Sequence, residues 1–268
     1  MARAHPRIFL RTLPFLCFLY GIEIWENARP DRLAWAKRAN KLVAISHFTR
    51  NKAITLHGIG DQAKVCWLAT EEDELPDIRP ASTGSPQVLI VARMSREEGY
   101  KGHQELIAAW PTVVDAVPDA KLTIVGRGDA MDLYKRQAAL LPCRDQIEFL
   151  GFVPEDKMPT IWSNATIFAM PSRGEGFGLV YIEAMRHGIP VIASVHDAGQ
   201  EVNVDGQTGY NVNLDNPDEL PERIIHLLKN RDLAVQMGQN GQARWKEHFR
   251  FSAFRARFRP ILDEFLAM

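Results

Sequence analysis

The 268 residues contain no Asp-x-Asp pair, no His-Glu-x-x-His and no paired cysteine spacing. The first two absences leave no dedicated divalent-metal motif, so no metal is expected at the site. Three cysteines, Cys17, Cys66 and Cys143, are too few and too scattered for a disulfide framework or a zinc site. They point to reduced thiols in a cytoplasmic protein. An excess of charge is missing as well: a formal net charge of −1 removes the electrostatic case for nucleic acid. No segment offers the ~20 uninterrupted apolar residues that a membrane span needs. The apolar stretch near the start, MARAHPRIFLRTLPFLCFLYG, is interrupted by Arg11 and Pro14 and has no small-residue cleavage site. PFLCFLY therefore reads as a fully buried strand rather than the core of a signal peptide. Finally, VGRGD (Val125 to Asp129) follows a strand pattern but lacks the third glycine of a dinucleotide fingerprint, which argues against an NAD-dependent enzyme.

What is present is a hydrophobic fraction of 46% in a chain long enough for one large or two small domains. Strand and helix patterns alternate almost throughout. Strands are predicted at Pro14 to Tyr20, KLVAIS, Lys64 to Ala69, QVLIVAR, KLTIVG, IEFLG, TIFAMPS and PVIAS. Between them lie helices from about Asp31 to Ala39 and from a Ser46 N-cap to a stop near Gly58. Others fall in GHQELIAAWPTVVDAV, where Pro111 should kink or break the helix, in DAMDLYKRQAALL, near Asp156 to Ser163, and from Leu179 to Gly188. The chain closes on three more helices, the last over about 251–267. TEEDELPDIRPASTGSP is acidic, Pro-rich and without periodicity, and reads as a linker. This alternation predicts α/β architecture with parallel sheets: an N-terminal part over 1–82 and a second domain over 83–268.

The chemistry concentrates in two segments. In PSRGEGFGLVYIEAMRHGIPVIAS (Pro171 to Ser194), a strand, a glycine loop, a helix and a strand form one βαβ unit. A glycine loop feeding a helix N-terminus offers free N–H groups and the positive end of the helix dipole to a phosphate. Gly176 and Gly178 allow close approach of the backbone. Two acids flank this loop. Glu183 either pairs along its helix with Arg186 or His187 or accepts from vicinal ribose hydroxyls. Glu175 is either a solvated acid beside Arg173 or faces sugar hydroxyls. The second segment, VARMSREEGYKGHQELI, puts Arg93 at a strand end and Lys101 just before a helix, at the sheet edge where open α/β sheets bind ligands. Both cations suit a diphosphate; alternatively they pair with Glu97 or Glu98.

With these residues the chain resembles the retaining glycosyltransferases of family 4, which have the GT-B fold. The pattern E-x7-E is met by Glu175 and Glu183, and ARMSREEGYKG resembles the segment that grips the donor diphosphate. LTIVGRGD, FLGFVPEDKMPTIWSNATIFAMPS, EVNVDGQTGYNV and VAISHFTR also fall where the family has similar segments. The resemblance implies a complete Rossmann-like donor domain preceded by a partial Rossmann-like acceptor-side domain. It implies a UDP-, GDP- or ADP-sugar as donor and a saccharide or lipid-linked acceptor, as in cell-surface polysaccharide synthesis, with no further cofactor. Arg93 and Lys101 would hold the diphosphate together with backbone N–H groups of Gly176, Phe177, Gly178 and Leu179. Glu175 would face the transferred sugar, Glu183 the ribose, and Phe152, Val153 and Gly126 the nucleoside.

The chain departs from the family at Tyr20, where many members have histidine, with Gly21 and Glu23 following. It also lacks about 100 residues that family members carry before this point. Two expectations follow: an active transferase, or a nucleotide-sugar-binding remnant with weak turnover that needs a partner or a further N-terminal segment. FRFSAFRARF, basic and aromatic, is expected to pack back on the N-terminal part, a peripheral contact with the inner face of a membrane being the alternative.

Overall fold

A computed structural model of the chain describes residues 13–26, 28–76 and 84–268. The first described residues build a small parallel sheet of β1 (Leu16–Leu19), β2 (Lys41–Ala44) and β3 (Lys64–Val65), in that order. Helices α1 (Pro30–Arg38) and α2 (His47–His57) make its two crossovers. α2 begins where its sequence says it should: Ser46 Oγ accepts the Thr49 N–H at 3.0 Å, and Gly58 ends the helix in the left-handed region. The strand expected over Lys64 to Ala69 is shorter than its apolar run suggests. Its partner β2 ends at Ala44, so pairing stops at Val65, and Cys66 adds a single N–H bond to Ala44.

The second sheet is six-stranded and wholly parallel. It contains β4 (Gln87–Val91), β5 (Lys121–Val125), β6 (Ile147–Gly151), β7 (Ile167–Ala169), β8 (Val191–Ser194) and β9 (Gly209–Val212), in the order β6-β5-β4-β7-β8-β9. Around it run α3 (His103–Ala116), α4 (Met131–Ala139), α5 (Met158–Asn164), α6 (Leu179–Arg186), α7 (Gly199–Val202), α8 (Glu219–Lys229) and α9 (Arg231–His248). Strands buried on both faces explain the near-continuous apolar runs of β4, β5 and β8. The sheet winds outward in both directions from the β4–β7 pair, which makes that pair the topological switch point. The two-sheet α/β architecture is the GT-B-like one expected; the expected boundary at residue 82 lies outside the described residues.

Three expectations are corrected. The strand in PFLCFLY is not fully buried: Leu16, Cys17 and Phe18 are half-buried and Tyr20 is exposed, because among the described residues β1 has a neighbouring strand on one side only. Pro111 does not end its helix: α3 runs through it, because Leu106, Ile107, Trp110 and Val113 are buried on both sides of the proline and hold adjoining turns to the core. The structure also adds β9, α7 and several single 3-10 turns to the expected elements.

The chain's last helix, α10 (Phe251–Leu266), returns to the first sheet. Ile261, Phe254 and Phe258 pack against Val43, Cys66, Leu16 and Phe18, while Lys41 pairs with Glu264. Further contacts tie the two sheets together. Trp245 Nε1 donates to Thr70 Oγ1 at 3.0 Å, and Thr70 N–H donates to the Phe249 carbonyl at 3.0 Å. No helix among the described residues is long and apolar enough to cross a membrane.

Candidate active site

The loops after β4 and β7 leave the sheet at the switch point and pack on one another. Arg173 N–H donates to the Tyr100 carbonyl at 2.9 Å. This contact brings Lys101 against Glu175, with Nζ to Oε2 at 2.6 Å and both side chains more than four-fifths buried. Neither local pairing suggested by the sequence for these two residues occurs. Lys101 reaches 74 positions along the chain instead of to Glu97 or Glu98, and Arg173 pairs with Asp215 rather than beside Glu175. Arg93 does make its local pair, with Glu98 at 2.5 Å, and remains largely exposed.

The glycine loop sits at the contact between the two sheets. A Cβ on Gly176 would lie 2.0 Å from the Tyr20 carbonyl, so glycine is required where the loop meets the end of β1. Thr49 Oγ1 of α2 donates to the Gly176 carbonyl at 3.4 Å on the same side. Gly178 precedes α6 with φ 91°. Among the described residues, no protein acceptor takes the N–H groups of Gly176, Phe177, Gly178 or Leu179. The loop therefore presents a run of unused donors at the positive end of α6. The Phe177 side chain turns the other way, buried edge-on against Phe249, so only its backbone faces the site; Leu179 is exposed beside it.

A further carboxylate holds this loop. Asp197 is fully buried, accepts the Glu175 N–H at 2.8 Å and the Gly199 N–H at 2.9 Å, and is pushed up to about 7 by burial despite these bonds. Sequence reasoning passed over it because VHDAG has no local feature that distinguishes it from a loop acid.

Glu183 stands one turn into α6 and opens to solvent. Its sequence-suggested partners are engaged elsewhere or uncharged. Arg186 binds Glu72 and the Glu74 carbonyl, and burial lowers His187 to about 4, leaving it neutral. Among the described residues nothing donates a hydrogen bond to the Glu183 carboxylate, although its backbone carbonyl accepts the His187 N–H at 3.2 Å. The protein walls around it raise its carboxyl to about 7, Arg186 opposing and Glu155 adding to the shift. An open but recessed carboxylate with no partner is suited to accepting from a ligand's hydroxyls.

Glu155 belongs to the loop after β6, which carries Phe152 and Val153. Phe152 is 64% exposed, and the Arg127 guanidinium lies over its ring at 5.0 Å. Val153 is half-buried behind it. Gly126 is accounted for by packing: its N–H donates to the Gly151 carbonyl at 2.8 Å, and the Ala92 carbonyl occupies the place of a Cβ. The structure thus sets the sequence-predicted residues along one edge of the sheet. Lys101, Glu175 and the glycine loop lie at its centre, Glu183 on α6, and Phe152 at the end of β6.

A second residue missed in the sequence is Glu201. It accepts the N–H groups of His47 (2.9 Å) and Phe48 and the indole N–H of Trp67 (3.2 Å), joining α7 to the start of α2. Only its partners 153 and 154 positions away reveal this role.

Residues 71–244 match the profile described as glycosyl transferases group 1. The chain belongs to this family. A GDP-mannose-dependent alpha-(1-6)-phosphatidylinositol monomannoside mannosyltransferase of Mycolicibacterium smegmatis is 31% identical over 181 residues, 65% of this chain and 47% of that protein. A phosphatidyl-myo-inositol mannosyltransferase of Mycobacterium leprae is 31% identical over 245 residues, 78% of this chain and 64% of that protein. The chain thus spans about half to two thirds of the length of these group 1 relatives. Among solved structures, Anabaena Alr3699/HepE in complex with UDP and glucose superimposes with a TM-score of 0.78 at 20% identity, over 93% of this chain and 71% of that one. At that identity the likeness is one of fold alone.

Proposed function

We propose that the chain carries the donor site of a retaining, family 4 glycosyltransferase that moves a hexose from a nucleotide-sugar onto a saccharide or lipid-linked acceptor. The observation that carries this reading is the Lys101–Glu175 contact at the switch point, set beside the unused N–H groups of the glycine loop. Breaking a glycosyl phosphate bond leaves negative charge on the departing diphosphate. In this reading Lys101 and the N terminus of α6, joined by the more exposed Arg93, face the charge as it develops, and donors already oriented by the fold need little rearrangement of solvent. Glu175 in this reading faces the sugar, anchored through its own N–H by Asp197. In the same reading Glu183 accepts from the ribose. No side chain is assigned as the acceptor's base, because the departing phosphate can take that proton. The relatives named for GDP-mannose and for phosphatidylinositol acceptors favour a mannosyl donor and a lipid-linked acceptor. Such an acceptor would place the protein at the cytoplasmic face of a membrane.

A nucleotide-sugar-binding module with weak turnover is the second reading. It is favoured by β1, which pairs with β2 and with no other strand among the described residues. A sheet of three short strands gives an acceptor little to rest on.

Calorimetry with UDP, GDP and ADP tests the donor site. Lys101→Ala and Arg93→Ala each remove a charge-assisted contact worth roughly 1.5–3 kcal/mol, about 10- to 150-fold in affinity. Glu183→Gln should weaken the free nucleotide, whereas Glu175→Gln should spare it and impair only the nucleotide-sugar or its transfer. Parental affinity in both cation variants would remove the diphosphate assignment. A transfer assay with GDP-mannose and a phosphatidylinositol-type acceptor separates the two readings: brisk transfer supports the enzyme, and binding without transfer supports the module.

A further inference from the structure

The base end of the proposed donor site holds a cation that the diphosphate does not need. Arg93 and Lys101 both lie in the loop after β4, at the switch point. Arg127 leaves the sheet one strand further out, directly after β5, and its guanidinium rests on the exposed ring of Phe152 after β6. Among the described residues Arg127 forms no ion pair, although Asp129 lies two positions on; Asp129 accepts the Arg96 N–H at 2.9 Å instead. Its backbone is fixed, since the Arg127 carbonyl accepts the Met94 N–H at 3.1 Å. An arginine without an ion pair among the described residues, held over an aromatic ring that faces solvent, keeps its N–H fork available for a further acceptor.

Resting on the donor-site reading above, we infer that Arg127 reads the base of the nucleotide and selects guanine, with Phe152 as its positioning residue. The choice follows from what each base shows to a planar pair of N–H donors. Guanine presents two adjacent acceptors, O6 and N7. Adenine presents N7 beside an amino donor, which opposes the fork. Uracil presents a lone carbonyl on the corresponding edge. A fork therefore makes two bonds to guanine and at most one to the others. The order of groups along the sheet edge supports this placement. Glu183, suited to the ribose, is close enough to Glu155 for the two acids to repel, and Glu155 is three residues past Phe152.

The test is calorimetry on the full chain with GDP, UDP, ADP and 7-deaza-GDP, which lacks the N7 acceptor. The parent should bind GDP at least tenfold more tightly than UDP or ADP. Arg127→Ala should weaken GDP by about 5- to 150-fold, the range of a bidentate base contact, and weaken UDP and ADP far less. Arg127→Lys keeps the charge but loses the fork, and should lose the preference for GDP as well. 7-Deaza-GDP should bind the parent weakly, and Arg127→Ala should weaken it far less than GDP. Phe152→Ala should reduce the preference without abolishing diphosphate binding. Equal loss of all three nucleotides in Arg127→Ala would make Arg127 a diphosphate contact and overturn the inference, as would a parent that binds GDP, UDP and ADP alike. A folded parent that binds none of them would instead remove the donor-site reading itself, and this inference with it.

Discussion

The Glu183 carboxylate accepts no hydrogen bond from any described residue. Its surroundings raise its carboxyl to about 7, from about 4.5. Asp197 is shifted in the same direction by its own burial. A carboxyl raised on folding keeps a proton that the unfolded chain has already lost. Each group therefore favours the fold fully below about pH 4, and that contribution disappears as pH rises to about 7. The empty protein should lose stability across this window, and Glu183→Gln, which cannot ionise, should flatten part of the loss. Urea unfolding of parent and variant at pH 5, 6, 7 and 8 measures it. Parallel curves would mean that the Glu183 site is as well solvated as an ordinary surface acid. The residue scale is also where the sequence was least legible. The two cations and two acids could be picked out, because glycine loops and sheet ends have chemical signatures. Their pairing could not. Lys101 had two acids within four positions, yet it meets Glu175 because the loops after β4 and β7 leave the sheet side by side.

At the scale of elements, local signals were readable and distant ones were not. α2 shows both. Its Ser46 cap and Gly58 stop are written in five or six neighbouring residues, and the structure contains both. Its second cap, Glu201, comes from 154 positions along the chain and leaves no trace in the sequence near His47. β9 escaped for a related reason. Gly209–Val212 is short, starts with glycine and carries Asn211, so it becomes a strand only because β8 offers an edge beside it. Pro111 misled in the opposite sense: a local helix breaker was overruled by burial on both sides of it. The two caps of α2 should differ in worth. Ser46→Ala removes one neutral bond, about 1 kcal/mol. Glu201→Ala removes a charged acceptor from three N–H groups at once and should cost roughly 1.5–3 kcal/mol, with a lower urea midpoint. Glu201→Gln keeps an acceptor oxygen and should fall between. Equal and small losses would mean that α2 is held by its packed face alone and that the contact from α7 is incidental.

At the scale of the whole molecule, the question is what keeps a three-stranded sheet folded. Three short strands and two helices bury little apolar surface by themselves. The first sheet borrows its second cover from the far end of the chain, where Ile261, Phe254 and Phe258 of α10 lie over Val43 and Cys66. Arg257 adds a bond to the Trp67 carbonyl at 3.0 Å. Cys66 reports on this cover directly. It is fully buried, and burial raises its thiol, so it reacts only when the sheet opens. Ile261→Ala should weaken the cover by about 2–3 kcal/mol. If the sheet opens as a unit, the same energy comes off the opening equilibrium, and labelling of Cys66 should quicken by roughly 30- to 150-fold. The measurement uses a Cys17→Ser, Cys143→Ser background, in which Cys66 is the only thiol, with a chromogenic disulfide in excess. Faster labelling of Cys66 without a matching loss of helical signal would place the opening at α10 and the first sheet, leaving the second sheet and its donor site folded. Unchanged labelling alongside a lower melting temperature would mean that the first sheet stays closed until the whole molecule unfolds, and that α10 is part of one cooperative core rather than a cover.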